Sequence, residues 1–290
     1  MSKNITHGYH LVKGKTNHPM EDYVFAEFKQ VNGSALGLFT IFNGHLSHAN
    51  LFNNILNEVI YNRLDLTVSF SYTLTVCCFP TFGLEPANVI RRAYRLTDTN
   101  ILEQDIDLGK GGSAKVTAML INCQTLVIAN VGYSRAVISK NGVAKQLSVD
   151  HEPPSERESI ENKGDLSRYC MPDLLGMMLK VTPAFPYIVF VSGDFARVGS
   201  QLAVARAFGD KSLKKHLTSE PDVSIETIDD DTDLIILASD GLWKVMSNQL
   251  SMLSKALRNK DARSAAKHLT EEAVKSNSKD DISIIVIKFE

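Results

Sequence analysis

Residues 36–45 read LGLFTIFNGH, in which an apolar, β-prone run at 36–42 is followed by Asn43, Gly44 and His45. Its large apolar and aromatic residues predict a buried strand. Comparable runs occur at residues 116–122, 125–131, 136–139, 234–238 and 282–289. We predict strands at these positions, several of them buried on both faces.

Segments in which apolar residues recur at helical spacing lie between these runs. It occurs at residues 49–61, 88–103, 156–162, 248–257 and 262–276. Asp261 is placed to cap the last of these helices, and Asn141-Gly142 predicts a hairpin turn of type I′. Because strands and helices mix without the strict alternation of a doubly wound sheet, we predict an α+β fold with mainly antiparallel sheets.

The overall composition is that of a soluble globular protein, with 290 residues, 44% hydrophobic and 22% charged. We expect one domain over residues 1–290, because no low-complexity linker divides the chain. The net charge of −2 gives no basic footprint for nucleic acid, so we expect no nucleic-acid partner. The cysteines form no C-x-x-C pair, and residues 1–10 lack the apolar core of a signal peptide. These features favour the cytoplasm or the nucleus.

Two stretches differ from the rest of the chain. Residues 66–84 carry no charge and are long enough to be considered as a membrane span. Their many Ser and Thr residues, together with Pro80 and Gly83, argue against insertion, so we expect no membrane association. Residues 174–191 are apolar apart from Lys180. Both stretches would be prone to aggregation if they were not buried.

Acidic residues at predicted strand ends form the next pattern. Glu21 and Asp22 form an adjacent pair, Asp240 precedes a glycine, and Asp280 and Asp281 stand just before the final strand. Taken alone, each acid is more simply explained as a turn former or a helix cap. Taken together, carboxylates from distant parts of the chain are the oxygen ligands that Mg²⁺ or Mn²⁺ needs.

Seven segments in order along the chain resemble the plant members of the metal-dependent type 2C protein serine/threonine phosphatases. They are HPMEDY at 18–23, FTIFNGH at 39–45, ANVGYSRA at 129–136, VDHEP at 149–153, LAVARAFGD at 202–210, ASDGLW at 238–243 and KDDIS at 279–283. The resemblance implies a central β-sandwich of two antiparallel sheets flanked by helices. It also implies a metal cluster in a cleft at one end of the sandwich.

In that family, two Mg²⁺ or Mn²⁺ ions share a bridging aspartate and activate a water that attacks phosphoserine or phosphothreonine. The resemblance places the metal ligands of the family at Glu21, Asp22, Gly44, Asp240 and Asp280. It places His45 at the position of the proposed general acid, although His45 could also be a histidine that merely packs near the site. The partners it implies are phosphoproteins or kinases, and we expect a monomer.

Departures from the family pattern decide the functional prediction. The bridging aspartate is replaced by Asn43, which offers one neutral carbonyl oxygen in place of two anionic ones. Tyr133 replaces an aspartate associated with a third metal ion, and Asn17 stands where many members have a phosphate-binding arginine. Lys115 stands where a small residue is usual. We therefore expect metal affinity to fall sharply.

Two inserts, at residues 59–84 and 165–189, have no counterpart in the family pattern. Unstructured loops of this length are uncommon in compact domains, and the second insert adjoins the flap that contributes to substrate access in the family.

We predict a divergent phosphatase-like protein whose activity is lost or severely reduced. Three alternatives stay open at this point. They are a non-catalytic phosphoprotein- or kinase-binding protein, an active phosphatase that uses the remaining carboxylates, and a product that folds poorly.

Overall fold

The computed structural model describes residues 4–15, 17–31, 34–45, 86–104, 112–151, 156, 205–211, 214, 217–248, 257 and 259–290. The inserts at 59–84 and 165–189 lie outside these residues. So do the predicted helix at 49–61 and most of those at 156–162 and 248–257.

The described strands form two antiparallel sheets. The first sheet has the order β1-β11-β10-β6-β7, with β1 Ile5–Val12, β6 Arg135–Lys140, β7 Val143–Gln146, β10 Thr232–Ala238 and β11 Ile282–Phe289. The second has the order β2-β3-β4-β5-β9, with β2 Asp22–Val31, β3 Ser34–His45, β4 Gly112–Ile121, β5 Thr125–Val131 and β9 Asp222–Thr227. A short strand, β8 Phe208–Gly209, pairs with β4.

The two sheets pack face to face, and alternation along the strands builds the core between them. In β11, Ile285 and Ile287 point into this core, whereas Ile284 and Val286 point to the opposite face of the sheet. All eight residues of β11 are buried. The prediction of strands buried on both faces is therefore confirmed for β11.

Helices cover the outer faces of the sandwich. Helix α1, Pro86–Gln104, packs Ile90 and Tyr94 against the second sheet. Helix α2, Asp240–Trp243, is one turn long and follows β10. Helix α3, Ala262–Lys275, lies on the first sheet, and its N-cap Asp261 accepts a hydrogen bond from the Ser264 amide. The predicted cap is confirmed.

The β6–β7 hairpin has the predicted turn. Asn141 and Gly142 have φ angles of 49° and 77°, and positive values at both central residues define a type I′ turn. The Asp233 carboxylate accepts hydrogen bonds from the Gly142 amide at 2.7 Å and from Ser139 Oγ at 3.0 Å.

The predicted α+β sandwich of antiparallel sheets with flanking helices is confirmed. None of the helices in the described part of the chain is long and apolar enough to cross a membrane.

Lys115 is buried between the second sheet and α1. Its Nζ lies 4.8 Å from the ring centroid of Phe42, 4.7 Å from that of Tyr94 and 5.6 Å from that of Phe208. Cation–π contacts of this kind recover part of the hydration that the ammonium loses. Burial nevertheless lowers the pKa of Lys115 to about 7.

Replacing Lys115 should stabilise the protein at neutral pH. The unfolded chain holds the Lys115 proton up to about pH 10.5, whereas the folded chain releases it near pH 7. Burial of Lys115 therefore costs stability fully below pH 7, and the cost declines as pH rises from 7 to 10.5. We expect Lys115→Met to raise the free energy of unfolding at neutral pH by at least about 1.4 kcal/mol, the value of one pKa unit.

Urea denaturation followed by circular dichroism, at neutral pH and in mildly alkaline buffer, measures this effect. The gain from Lys115→Met should shrink in the alkaline buffer. The exposed Lys267 on α3 is the control, and Lys267→Met should change stability by less than about 0.5 kcal/mol in both buffers. A gain from Lys115→Met that is equal in the two buffers would contradict the assigned pKa.

Candidate functional site

Four of the residues singled out in the sequence lie together at one end of the sandwich. Asp22 begins β2 and is the cross-strand partner of Asn43 near the end of β3. Asp240 follows β10 as the first residue of α2, and Asp280 precedes β11. Because neighbouring strands run antiparallel, the ends of these distant segments lie at the same end of the sandwich.

Asp22 is the most deeply buried acid of this group. Its Oδ2 accepts a hydrogen bond from Ser283 Oγ at 2.6 Å. The pKa of Asp22 is raised to about 7, mainly by burial and to a smaller extent by the Asp240 and Asp281 carboxylates, although hydrogen bonds from Ser283 and Ser239 oppose the shift. Asp22 is therefore held by hydroxyl groups from β11 and from the end of β10.

Asn43 is directed at Asp240. Its Nδ2 donates a hydrogen bond to Asp240 Oδ1 at 2.6 Å. The amide thus presents its N–H group to the carboxylate, in the manner of a donor rather than of a metal ligand.

Lys244 joins the two remaining carboxylates. Its Nζ lies 2.6 Å from Asp240 Oδ2 and 2.6 Å from Asp280 Oδ2. Burial opposes the charge of Lys244, but the Asp240 and Asp280 carboxylates together outweigh burial and raise the pKa of Lys244 above its ordinary value. For Asp240, burial is the largest effect and raises its pKa, although Lys244 and Asn43 act in the opposite direction.

Asp281 makes different contacts from those of its neighbour Asp280. Its Oδ1 accepts the Gly14 amide at 2.7 Å and its Oδ2 accepts the Glu21 amide at 2.8 Å. The Glu21 carbonyl in turn accepts the Gly44 amide at 3.1 Å. Asp281 therefore ties the segment before β2 to the segment before β11.

Other predicted positions are placed as follows. The Glu21 carboxylate lies 3.7 Å from His18 Nδ1. Gly44 stands opposite Ser113 in β3 and β4, and Tyr133 is half-buried in the connection between β5 and β6. His45 is the last residue of β3, but its side chain lies outside the described part of the structure. Its role as a general acid stays a prediction.

Two groups of the site, Lys244 and Ser283, were not singled out in the sequence, whereas Asp281 belongs to the acidic pair that precedes the final strand. The spacing of Asp240 and Lys244, four residues apart at the start of a helix, was a usable signal, because such side chains are neighbours on a helix. The contacts of Ser283 and Asp281 have no comparable local signal.

A second cluster of possible metal ligands contains His151, Glu156 and Asp222. His151 Nδ1 accepts the Gly132 amide at 2.9 Å, so Nε2 carries the proton and donates to Asp222 Oδ2 at 2.6 Å. The Arg206 guanidinium lies 2.6 Å from Glu156 Oε1 and 3.4 Å from Asp222 Oδ2. Both ring nitrogens of His151 are engaged and a cation already faces the acids, so this cluster is a structural ion-pair network.

The acidic group at Asp22, Asp240 and Asp280 does not match the needs of two divalent ions. A carboxylate that bridges the ions is absent at Asn43, whose amide N–H faces Asp240. An ammonium group already contacts both Asp240 and Asp280. The donor chemistry is that of an acidic cluster neutralised by side chains of the same protein.

Comparisons with known proteins agree on the family that this chain resembles. The family model described as Protein phosphatase 2C matches residues 12–282. "Probable protein phosphatase 2C 39" of Arabidopsis thaliana is 54% identical over 298 residues, which cover 100% of this chain and 88% of that protein. "Probable protein phosphatase 2C 62" of Oryza sativa subsp. japonica is 53% identical over 297 residues, which cover 99% of this chain and 88% of the relative.

Solved structures show the same fold. The serine-threonine phosphatase 2C from Toxoplasma gondii has a TM-score of 0.75 at 21% identity, with 99% of this chain and 95% of that chain covered. The catalytic domain of the serine threonine protein phosphatase PstP, in complex with 2 manganese ions, has a TM-score of 0.61 at 17% identity, with 98% of each chain covered.

Asp281 and Asp280 should respond differently to the same substitution. Asp281→Asn places an amide NH₂ against a backbone N–H donor, so we expect the free energy of unfolding to fall by about 1–3 kcal/mol. Asp280→Asn weakens a partly exposed ion pair with Lys244 and should cost less than about 1 kcal/mol. Chemical denaturation of both variants at neutral pH measures the difference. An equal or larger loss from Asp280→Asn would contradict the anchoring role of Asp281.

Proposed function

The chain belongs to the protein phosphatase 2C family, and from this premise we propose that its hydrolysis of phosphoserine and phosphothreonine is lost or severely reduced. The observation that carries the proposal is the hydrogen bond from Asn43 Nδ2 to Asp240 Oδ1 at 2.6 Å. The residue at the position of the bridging aspartate is thereby engaged as a donor to another acid of the site.

Charge supports the same conclusion. An aspartate at position 43 would add one negative charge next to Asp240, and an aspartate at position 133 would add another. Lys244 contributes a positive charge at 2.6 Å from Asp240 and Asp280. Divalent cations bind where carboxylates are concentrated, and each of these differences lowers the local negative charge. Weak binding of Mg²⁺ or Mn²⁺ removes the source of the activated water on which hydrolysis depends.

The expected partners follow from the family. They are phosphoserine or phosphothreonine proteins, or kinases, which the chain would bind without efficient turnover in the cytoplasm or the nucleus. Hydrolysis by the remaining carboxylates is the alternative that the experiment below has to separate.

Restoring the acid should restore activity. We expect Asn43→Asp to raise the rate of phosphoserine-peptide hydrolysis at saturating Mn²⁺ by more than about 100-fold, because the loss of outer ligand partners alone costs 10- to 100-fold. Asn88→Asp is the matched control, since Asn88 is exposed on α1 and the substitution adds the same charge away from the site. The control should leave the rate unchanged.

Two results would overturn the proposal. The first is hydrolysis by the natural chain at a rate comparable to that of a family member that has aspartate at the position of Asn43, assayed under the same conditions. The second is a folded Asn43→Asp variant with no gain over the natural chain, because position 43 would then not account for the loss.

A further inference from the structure

We propose that the Lys244 ammonium is a built-in counter-cation of the acidic site, and that a divalent ion can reach Asp240 and Asp280 only by displacing it. This inference deepens the proposed function and rests on it, because it concerns the same acids. It adds a cause of weak metal binding besides the loss of the acid at position 43.

The contacts of Lys244 are those of a bridging cation. One nitrogen atom lies 2.6 Å from Asp240 Oδ2 and 2.6 Å from Asp280 Oδ2. The second oxygen of Asp240 accepts the Asn43 amide at 2.6 Å. Both oxygens of Asp240 are therefore engaged by donors from this chain, and one of these donors also holds Asp280.

Helix α2 positions Lys244 beside Asp240. The Lys244 amide donates to the Asp240 carbonyl at 2.9 Å at the end of α2. The turn is anchored by Trp243, whose Nε1 donates to the Ala238 carbonyl at 3.0 Å, and by Leu242, which is buried. A side chain four residues after Asp240 on such a turn lies beside the Asp240 carboxylate.

Contacts between α2 and the segment before β11 position Asp280. Ser278 Oγ donates to the Gly241 carbonyl at 2.7 Å, which ties the segment before β11 to α2. A Cβ atom at Gly241 would lie 2.1 Å from the Asp281 carbonyl oxygen, so glycine allows the two segments to touch. The hydrogen bond of Ser278 and the close backbone contact at Gly241 thus hold Asp280 near Asp240 and Lys244.

Two other nearby acids, Asp281 and Asp22, accept hydrogen bonds from neutral donors. The Asp281 carboxylate accepts two backbone N–H groups, from Gly14 and Glu21. Asp22 accepts Ser283 Oγ. Asp240 and Asp280 are the pair whose repulsion has to be compensated, and Lys244 contacts both.

Lys244 is also placed to be displaced. Its side chain is 43% exposed and that of Asp280 is 39% exposed, so the ammonium can turn outward into water. The contact therefore competes with an incoming cation and does not seal the site permanently. A competition of this kind lowers the apparent affinity for the ion by the free energy of the contact that is lost.

Calorimetric titration with MnCl₂ tests the proposal without any substrate. Lys244→Met removes the charge at nearly constant length, and Lys244→Gln removes it while keeping one hydrogen-bond donor for a carboxylate. We expect each to bind Mn²⁺ at least about tenfold more tightly than the natural chain. The matched control is Lys279→Met, which removes the same charge beside Asp280 from an exposed side chain and should leave the affinity within about twofold.

Thermal unfolding gives a second readout. Without divalent ions, Lys244→Met should unfold at a lower temperature than the natural chain, because Asp240 and Asp280 then repel each other. Added MnCl₂ should raise the unfolding temperature of Lys244→Met more than that of the natural chain. If Lys244→Met does not fold without metal, Lys244→Gln supplies both measurements.

A folded Lys244→Gln or Lys244→Met variant that binds Mn²⁺ no more tightly than the natural chain would overturn the proposal. An equal gain in Lys279→Met would overturn it too, because the effect would then be one of general charge. Turnover by the natural chain would overturn the proposed function alone, whereas these binding results concern Lys244 alone. The two failures are therefore distinguishable.

Discussion

The site depends on the burial of β11. This strand pairs with β1 on one side and β10 on the other, and its side chains enter the core between the sheets and the core beneath α3. Because both faces of β11 pack against a core, its side chains have to fit two layers at once, and this close packing holds the strand in place. Ser283 lies within β11, and Asp280 and Asp281 immediately precede it, so all three inherit their positions from this packing.

Neutralisation of acids is the second constraint on this end of the sandwich. Carboxylates removed from water must be hydrogen-bonded or paired with a cation. Asp281 is satisfied by backbone amides, Asp22 by hydroxyl groups, and Asp240 by the Asn43 amide and the Lys244 ammonium. The three acids are therefore compensated by different groups, and for Asp240 one of these groups, Lys244, comes from the end of the same helix.

Two lysines show how strongly the surroundings decide the behaviour of one side chain. Lys115 is enclosed by aromatic rings, and burial lowers its pKa to about 7. Lys244 lies against two carboxylates, which raise its pKa above the ordinary value in spite of partial burial. The first lysine opposes the stability of the fold at neutral pH, and the second compensates charges that the fold has brought together.

The fold could be predicted where a local pattern was strong. The predicted strand at 125–131 coincides with β5, the strand at 282–289 coincides with β11, and the Asp261 cap was identified from its position alone. β1, β2 and β9 were missed, because edge strands with partly exposed residues lack a continuous apolar run. The predicted strand at 116–122 began after Lys115, yet β4 continues through this lysine and buries it.

By itself, the sequence determined the apolar periodicity of the strands, the turn at Asn141 and Gly142, and the exchange of an acid for Asn43. These are properties of single residues and of close neighbours along the chain. Only the tertiary structure decided that Ser283 would hold Asp22 and that Lys244 would also contact Asp280. Ser283 and Asp22 are 261 residues apart and Lys244 and Asp280 are 36 apart, so their contacts depend on strand register and on the packing of α2 against the segment before β11.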